Sequence, residues 1–122
     1  MSDKIDILGK LVMEKLRDVS IELCEGLTES RYDSPGHKEV QKEIETFSPE
    51  QKETLIKCIT YCIDGGINDF LFNLDKASRK SKELSISLKG EDVSGLTEGI
   101  HRELYGDQGW QQRLSKYGNT NT

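Results

Sequence analysis

Between Glu98 and Trp110, thirteen positions hold three carboxylates, an imidazole, a guanidinium, a phenol and an indole, in Glu98, His101, Arg102, Glu103, Tyr105, Asp107 and Trp110. On a helix, Glu98, His101 and Tyr105 fall one turn apart along one face. Glu98 could then orient the His101 ring and raise its basicity, which makes an acid–base pair. No Gly-x-Ser-x-Gly elbow, no His-Glu-x-x-His and no identifiable nucleophile accompanies that pair. A small cofactor-independent enzyme using Glu98 and His101 is one reading of the cluster. Partner binding is the other, because Trp, Tyr and Arg are the residue types most enriched among the energetic hot spots of protein interfaces. Core packing of Tyr105 and Trp110 is the plain structural alternative.

Cys58 and Cys62 are four residues apart on one helical face, where two thiolates could ligate a metal with Cys24 or a histidine as third ligand. Zinc sites use a tight Cys-x-x-Cys turn followed by a second such pair or by two histidines, and neither pattern occurs. The three cysteines are therefore expected to be free, buried thiols acting as small hydrophobes, and no metal or other cofactor is expected. Gly90, Gly95 and Gly99 form neither a dinucleotide fingerprint nor a phosphate loop. The formal net charge is −5, and the sole basic run, 76–82 (KASRKSK), lacks interleaved aromatics. That balance opposes the phosphate backbone of a nucleic acid. The basic run reads as a solvated helix end, with cations against the negative end of the helix dipole. An acidic surface suits a basic protein partner.

These residues need elements to position them. Ile5, Leu8, Val12, Leu16, Val19 and Leu23 recur at steps of three or four, which predicts an amphipathic helix over 4–24, capped by Ser2 or Asp3 and ended by Gly26. Turn formers over 27–36 predict a loop, followed by a short charged helix over 37–46 with Val40, Ile44 and Phe47 as a narrow apolar edge. Ser48, Pro49 and Gln51 write a capping box with proline at the first helical position. From there Leu55, Ile59, Cys62, Ile63, Gly66, Ile67, Phe70, Leu71 and Leu74 keep one face in phase through Gly65–Gly66, so one helix is expected to about residue 77. A glycine on that buried face would admit a second helix backbone.

Beyond it, Leu84, Ile86 and Leu88 alternate with polar residues, the pattern of a half-buried strand closed by Gly90. Its partner is expected within 24–35 or 110–117, or in a second copy of the chain, which would make a homodimer. Leu96, Ile100 and Leu104 predict a helix over 94–105. Trp110, Leu114 and Tyr117 predict a short last one, with residues 118–122 as a frayed tail.

The chain has 122 residues, of which 34% are hydrophobic and 32% charged, which suits a single globular domain over 1–122 and excludes a two-domain enzyme. No apolar stretch approaches the ~20 residues of a membrane span. The first residues carry no secretory pattern and the cysteine count is odd, so a cytoplasmic location is expected.

The segment from Val93 to Gly118, VSGLTEGIHRELYGDQGWQQRLSKYG, resembles a family of small bacterial proteins with a phrase close to Leu-Ser-Asp-Gly-Leu-His-Gly-Glu-Leu-Tyr followed by Gly-Trp. Some of these look like immunity partners of polymorphic toxins. The resemblance spans about residues 68–118 and rests on Leu96, Thr97, Glu98, Gly99, Ile100, His101, Glu103, Leu104, Tyr105, Gly109 and Trp110. Arg102 stands where the phrase has glycine, and Thr97-Glu98 where it has Ser-Asp. It implies a cytosolic protein that neutralises a toxin by covering or distorting its active surface; the contacts expected from their residue types are Glu98, His101, Arg102, Tyr105, Asp107 and Trp110. A third function class is an acidic nucleic-acid mimic from a virus or mobile element, offering Glu39, Glu43, Glu45, Glu50 and Glu53. The fold expected is mainly α: a compact helical domain with two long helices, short C-terminal helices and a minor β element.

Overall fold

The structure is a computed structural model that describes residues 3–119. It is mainly α, with two long helices of 24 and 33 residues and a small two-stranded sheet. Helix α1 covers residues 5–28, built from Ile5–Val12, a wider π turn at Met13–Arg17, and Asp18–Thr28. Helix α2 is Pro35–Ile44, and α3 covers residues 49–81, of which Ala77–Ser81 is again π-helical. Strands β1 (Ser87–Leu88) and β2 (Glu91–Asp92), two 3-10 turns at Val93–Gly95 and Ile100–Leu104, and helix α4 (Trp110–Leu114) follow. Among the described residues no helix is long and apolar enough to cross a membrane.

The π turn decides which face of α1 is buried. Ile5, Gly9, Met13, Arg17 and Ile21 all point inward at four-residue spacing. In a regular helix each such step overshoots by about 40°, so four of them would wander around the axis. The wider turn at Met13–Arg17 takes that rotation back. The regular period expected for Leu16, Val19 and Leu23 therefore fails past Val12: these three are exposed, and Ile21 and Cys24 are buried in their place. Lys4 occupies the N-cap position without a side-chain cap bond, and the alternative cap Ser2 lies outside the described residues.

Nor does Gly26 end α1. The helix continues to Thr28, whose hydroxyl bonds the Glu25 carbonyl at 2.7 Å, and Ser30 in the left-handed region turns the chain. Gly26 is needed for contact, since a Cβ there would lie 2.3 Å from the Tyr32 hydroxyl. Helix α2 starts two residues earlier than expected and is held by a polar anchor: the buried Gln41 amide accepts from the Tyr32 amide and donates to the Tyr32 carbonyl, each at 3.0 Å. Val40 and Phe47 stay exposed.

Helix α3 opens on the expected capping box, with Gln51 N–H donating to Ser48 Oγ at 3.1 Å and Ser48 N–H to Gln51 Oε1 at 2.8 Å. It runs unbroken through Gly65–Gly66. Its buried line is Thr60, Asp64, Ile67, Leu71 and Asp75, so part of the seam is polar, while Cys62 and Phe70 face outward. Both glycines are exposed with nothing within 4 Å of a built Cβ, so they do not serve a helix–helix contact. Cys24 is a buried free thiol; Cys58 and Cys62 are exposed ones, against the expectation of burial.

The strand pattern over 83–89 yields only the two residues of β1, and their partner is neither distant segment nor a second copy but β2, directly after the turn. Lys89 and Gly90 both have positive φ (51° and 84°), the primed two-residue turn whose twist matches a hairpin. The 94–105 segment is not an α-helix. Gly99 is extended, and the Ile100 amide turns to Asp75 Oδ2 at 3.3 Å, which leaves two 3-10 turns. Ile5, Met13, Ile67, Leu71, Val93, Ile100, Leu104 and Trp110 form the buried core, drawn from both long helices and the C-terminal third.

Candidate functional site

The C-terminal third is laid across α1 and α3 by buried and half-buried polar ties. Asp75 accepts from Arg79 Nε at 2.8 Å as well as from the Ile100 amide, and Arg79 Nη2 donates to the Thr97 carbonyl at 2.5 Å. Arg17 reaches Asp64 through Nε (2.7 Å) and Nη2 (3.1 Å), and through Nη1 holds Ser115 Oγ at 2.8 Å and the Gly118 carbonyl at 2.7 Å. Asp18 accepts from Ser115 Oγ and the Lys116 amide, and the Tyr117 hydroxyl donates to Glu25 at 2.6 Å. Gly118 and Asn119, expected to fray, are bonded to Arg17 and Gln112; residues 120–122 lie outside the described residues.

Where this segment bridges the helices it leaves a half-open cleft of about 550 Å³. Tyr61, Gly65 and Asp69 of α3 line one side, and Tyr105, Asp107 and Gln111 the other. The second side owes its shape to two glycines. Gly106 has φ +86°, and Gly109 allows the chain to fold back so closely that a Cβ would sit 2.2 Å from the Tyr105 carbonyl oxygen. Tyr61 is 72% exposed and Tyr105 49%, and the Tyr105 hydroxyl donates to Asn68 Oδ1 at 2.8 Å. Asp64 is committed to Arg17 at the back of the cleft. The exposed carboxylates of Asp69 and Asp107 have no cation within salt-bridge distance among the described residues. A negative field is visible at Tyr105, whose phenol is pushed above its ordinary pKa first by burial and then by the charges of Asp64 and Asp69. It remains a neutral hydrogen-bond donor at neutral pH.

The six residues singled out from the sequence separate into three places. Tyr105 and Asp107 line the cleft. Glu98, His101 and Arg102 border a smaller depression of about 230 Å³ beside Phe72, Lys76 and Lys80. Trp110 is fully buried: its indole packs over Gly9, where a Cβ would lie 2.4 Å away, and its Nε1 donates to Asp6 at 3.1 Å. Trp110 is a core residue, not a surface contact. Glu98 pairs with Arg102 at 3.6 Å, and the His101 ring stands edge-on to Phe72 with centroids 5.3 Å apart. Without the predicted helix the Glu98–His101 pair does not form, and His101 Nδ1 is buried with no hydrogen-bond partner among the described residues. The five glutamates of the mimic reading lie exposed on α2, the turn after it and the start of α3.

Sequence reasoning missed Tyr61, Gly65, Asp69 and Gln111. A signal was present, because Tyr61, Gly65 and Asp69 recur every four residues and so share one face of α3. Among the described residues no three His, Cys, Asp or Glu side chains group as a metal site. The cleft offers negative charge, aromatic faces and amide groups, which can hold a cationic or hydrogen-bonding surface. Comparison with protein families, with curated proteins and with solved structures finds no match to the chain.

Proposed function

We propose that this chain is an immunity-type protein of the bacterial cytosol, which binds a toxin domain with a basic surface and neutralises it by covering that surface. The observation that carries this reading is the cleft, where Asp69 and Asp107, free of internal cations among the described residues, flank two exposed tyrosines. Paired carboxylates steer a basic partner toward the cleft and raise its rate of association. Tyrosines supply rigid contact area with a polar tip, which suits an energetic hot spot. The C-terminal phrase that resembles immunity proteins contributes Tyr105, and Asp107 follows two residues later.

The experiment is co-purification of the chain with the product of a neighbouring toxin gene, followed by affinity measurements on Tyr61→Ala and Tyr105→Ala. Both side chains are exposed enough for the fold to survive their loss. A hot-spot tyrosine is worth about 2 kcal/mol, roughly a thirtyfold loss of affinity. The double variant Asp69→Asn with Asp107→Asn should slow association and flatten its salt dependence. A toxin partner indifferent to all four substitutions, or competition with DNA or RNA for a basic protein through the α2 glutamates, would remove the basis of the reading.

A further inference from the structure

Gln111 sits almost wholly within the fold, and its side-chain amide is reached from the cleft. It is 2% exposed and borders the cleft, yet no group among the described residues hydrogen-bonds its side chain. The comparison within the molecule is Gln41, 6% exposed, whose amide is paired on both sides with the Tyr32 backbone. A glutamine carries one acceptor oxygen and two donor hydrogens. The amide therefore stands ready for a group that enters from the cleft.

We propose that the cleft is a slot for the guanidinium of an arginine carried by the protein partner. This rests on the toxin-binding reading and gives its site a chemistry. The occupant must be cationic, because Asp69 and Asp107 are the charges at the cleft that no internal cation answers among the described residues. It must also be flat and rich in donors. A guanidinium presents five N–H donors in a plane, enough to reach the Gln111 carbonyl oxygen and a carboxylate together, and it stacks on aromatic faces such as those of Tyr61 and Tyr105. A lysine ammonium is a compact, strongly hydrated charge and satisfies fewer of these groups. Gly65 keeps the entrance clear, since a Cβ there meets nothing within 4 Å. The raised pKa of Tyr105 agrees with a negative field at this place.

The test is a two-dimensional NMR titration of the full chain with N-acetyl-arginine amide, using the lysine and glutamine analogues as controls. The arginine probe should give saturable shifts at the Gln111 side-chain amide and at the Gly65 and Gly106 backbone amides, with Kd on the order of 1 mM. It should bind at least about fivefold more tightly than the lysine probe. Gly65→Leu, on an exposed helix position, should abolish the shifts without unfolding the protein, and Gln111→Leu should reduce arginine binding to the level of lysine. Equal affinity for the two cations, or shifts at Phe72 and His101 in place of the cleft, would overturn the slot. The two proposals fail separately. A toxin whose affinity is unchanged by Gly65→Leu removes the slot and leaves the immunity reading intact, whereas saturable arginine binding in a chain that no toxin engages retains the slot chemistry and removes its assignment to a toxin.

Discussion

Removing one carboxylate, Asp64, should cost this protein a large share of its stability. The Arg17 side chain is 0% exposed and that of Asp64 8%, and the two meet in a two-pronged pair at 2.7 and 3.1 Å. The same guanidinium ties Ser115 and Gly118, so one charge joins α1, α3 and the C-terminal segment. Asp64→Ala breaks a buried ion pair by removing one member, at a cost of about 3–5 kcal/mol. A chain of this length has a total stability on the order of 10 kcal/mol. The loss should lower Tm by roughly 10–20 °C. Urea unfolding followed by fluorescence measures it directly, because Trp110 is the only tryptophan and is fully buried. Replacing both partners by apolar residues, Arg17→Met with Asp64→Leu, removes the desolvation problem along with the attraction and should recover most of the loss. If Asp64→Ala lies within about 1 kcal/mol of the parent, the pair does not hold the three segments together and this account of the fold is wrong.

The same substitution should have opposite signs at two helical glycines. Gly9→Ala drives a methyl into the Trp110 indole, at 2.4 Å from its nearest atom, and should cost about 1–3 kcal/mol by overpacking. Gly65→Ala meets open space and should stabilise α3 by up to about 1 kcal/mol; urea midpoints of the two variants on either side of the parent are the check. Asp6 supplies a pH dependence. Its carboxyl is held below the usual range first by the hydrogen bonds from Arg113 and then, against the opposing effect of burial, by that cation's charge and the Trp110 N–H. A folded pKa below the unfolded value of about 4 means that this contribution is whole above pH 4 and is lost as pH falls through the folded value. The stability difference between the parent and Asp6→Asn should accordingly be present at pH 7 and shrink below pH 4, as read by acid unfolding curves.

What the sequence makes legible is what local chemistry dictates alone. The Ser48–Gln51 capping box and the unbroken phase of α3 through Gly65–Gly66 depend on neighbours in the chain, and both are present. The inward face of α1 beyond Val12 does not, because a π turn leaves no clear mark in the hydrophobic pattern and resets the phase of everything after it. The alternation over 83–89 is a true record of burial, with Ile86 and Leu88 packed on the core, but a period of two says which side chains face inward and not which backbone they pair with. The 94–105 pattern fails for a related reason. Its apolar spacing is helical, while the Ile100 amide that a helix would use is taken by Asp75 from another element.

The cleft was hidden because its two halves come from opposite habits of reading. The apolar seam of α3 marks its buried side, and the face carrying Tyr61, Gly65 and Asp69 has only the pattern of a solvated surface. A glycine in phase with the apolar seam points to close approach of a second helix backbone, since glycine in a helix interior is otherwise costly. Here the missing side chain opens space instead. In the C-terminal third, residue types with chemical potential were grouped by sequence distance, but the turn at Gly106–Gly109 sends consecutive groups in different directions. Tyr105 and Asp107 stay at the surface, Trp110 enters the core, and Gln111 faces the cleft from beneath. The Arg17–Asp64 pair and the core beside it hold this segment in place whether or not the Gln111 amide is bonded. The cleft is thus set by the Arg17–Asp64 pair at its back and the core behind it, which leaves Asp69 and Asp107 available to a partner.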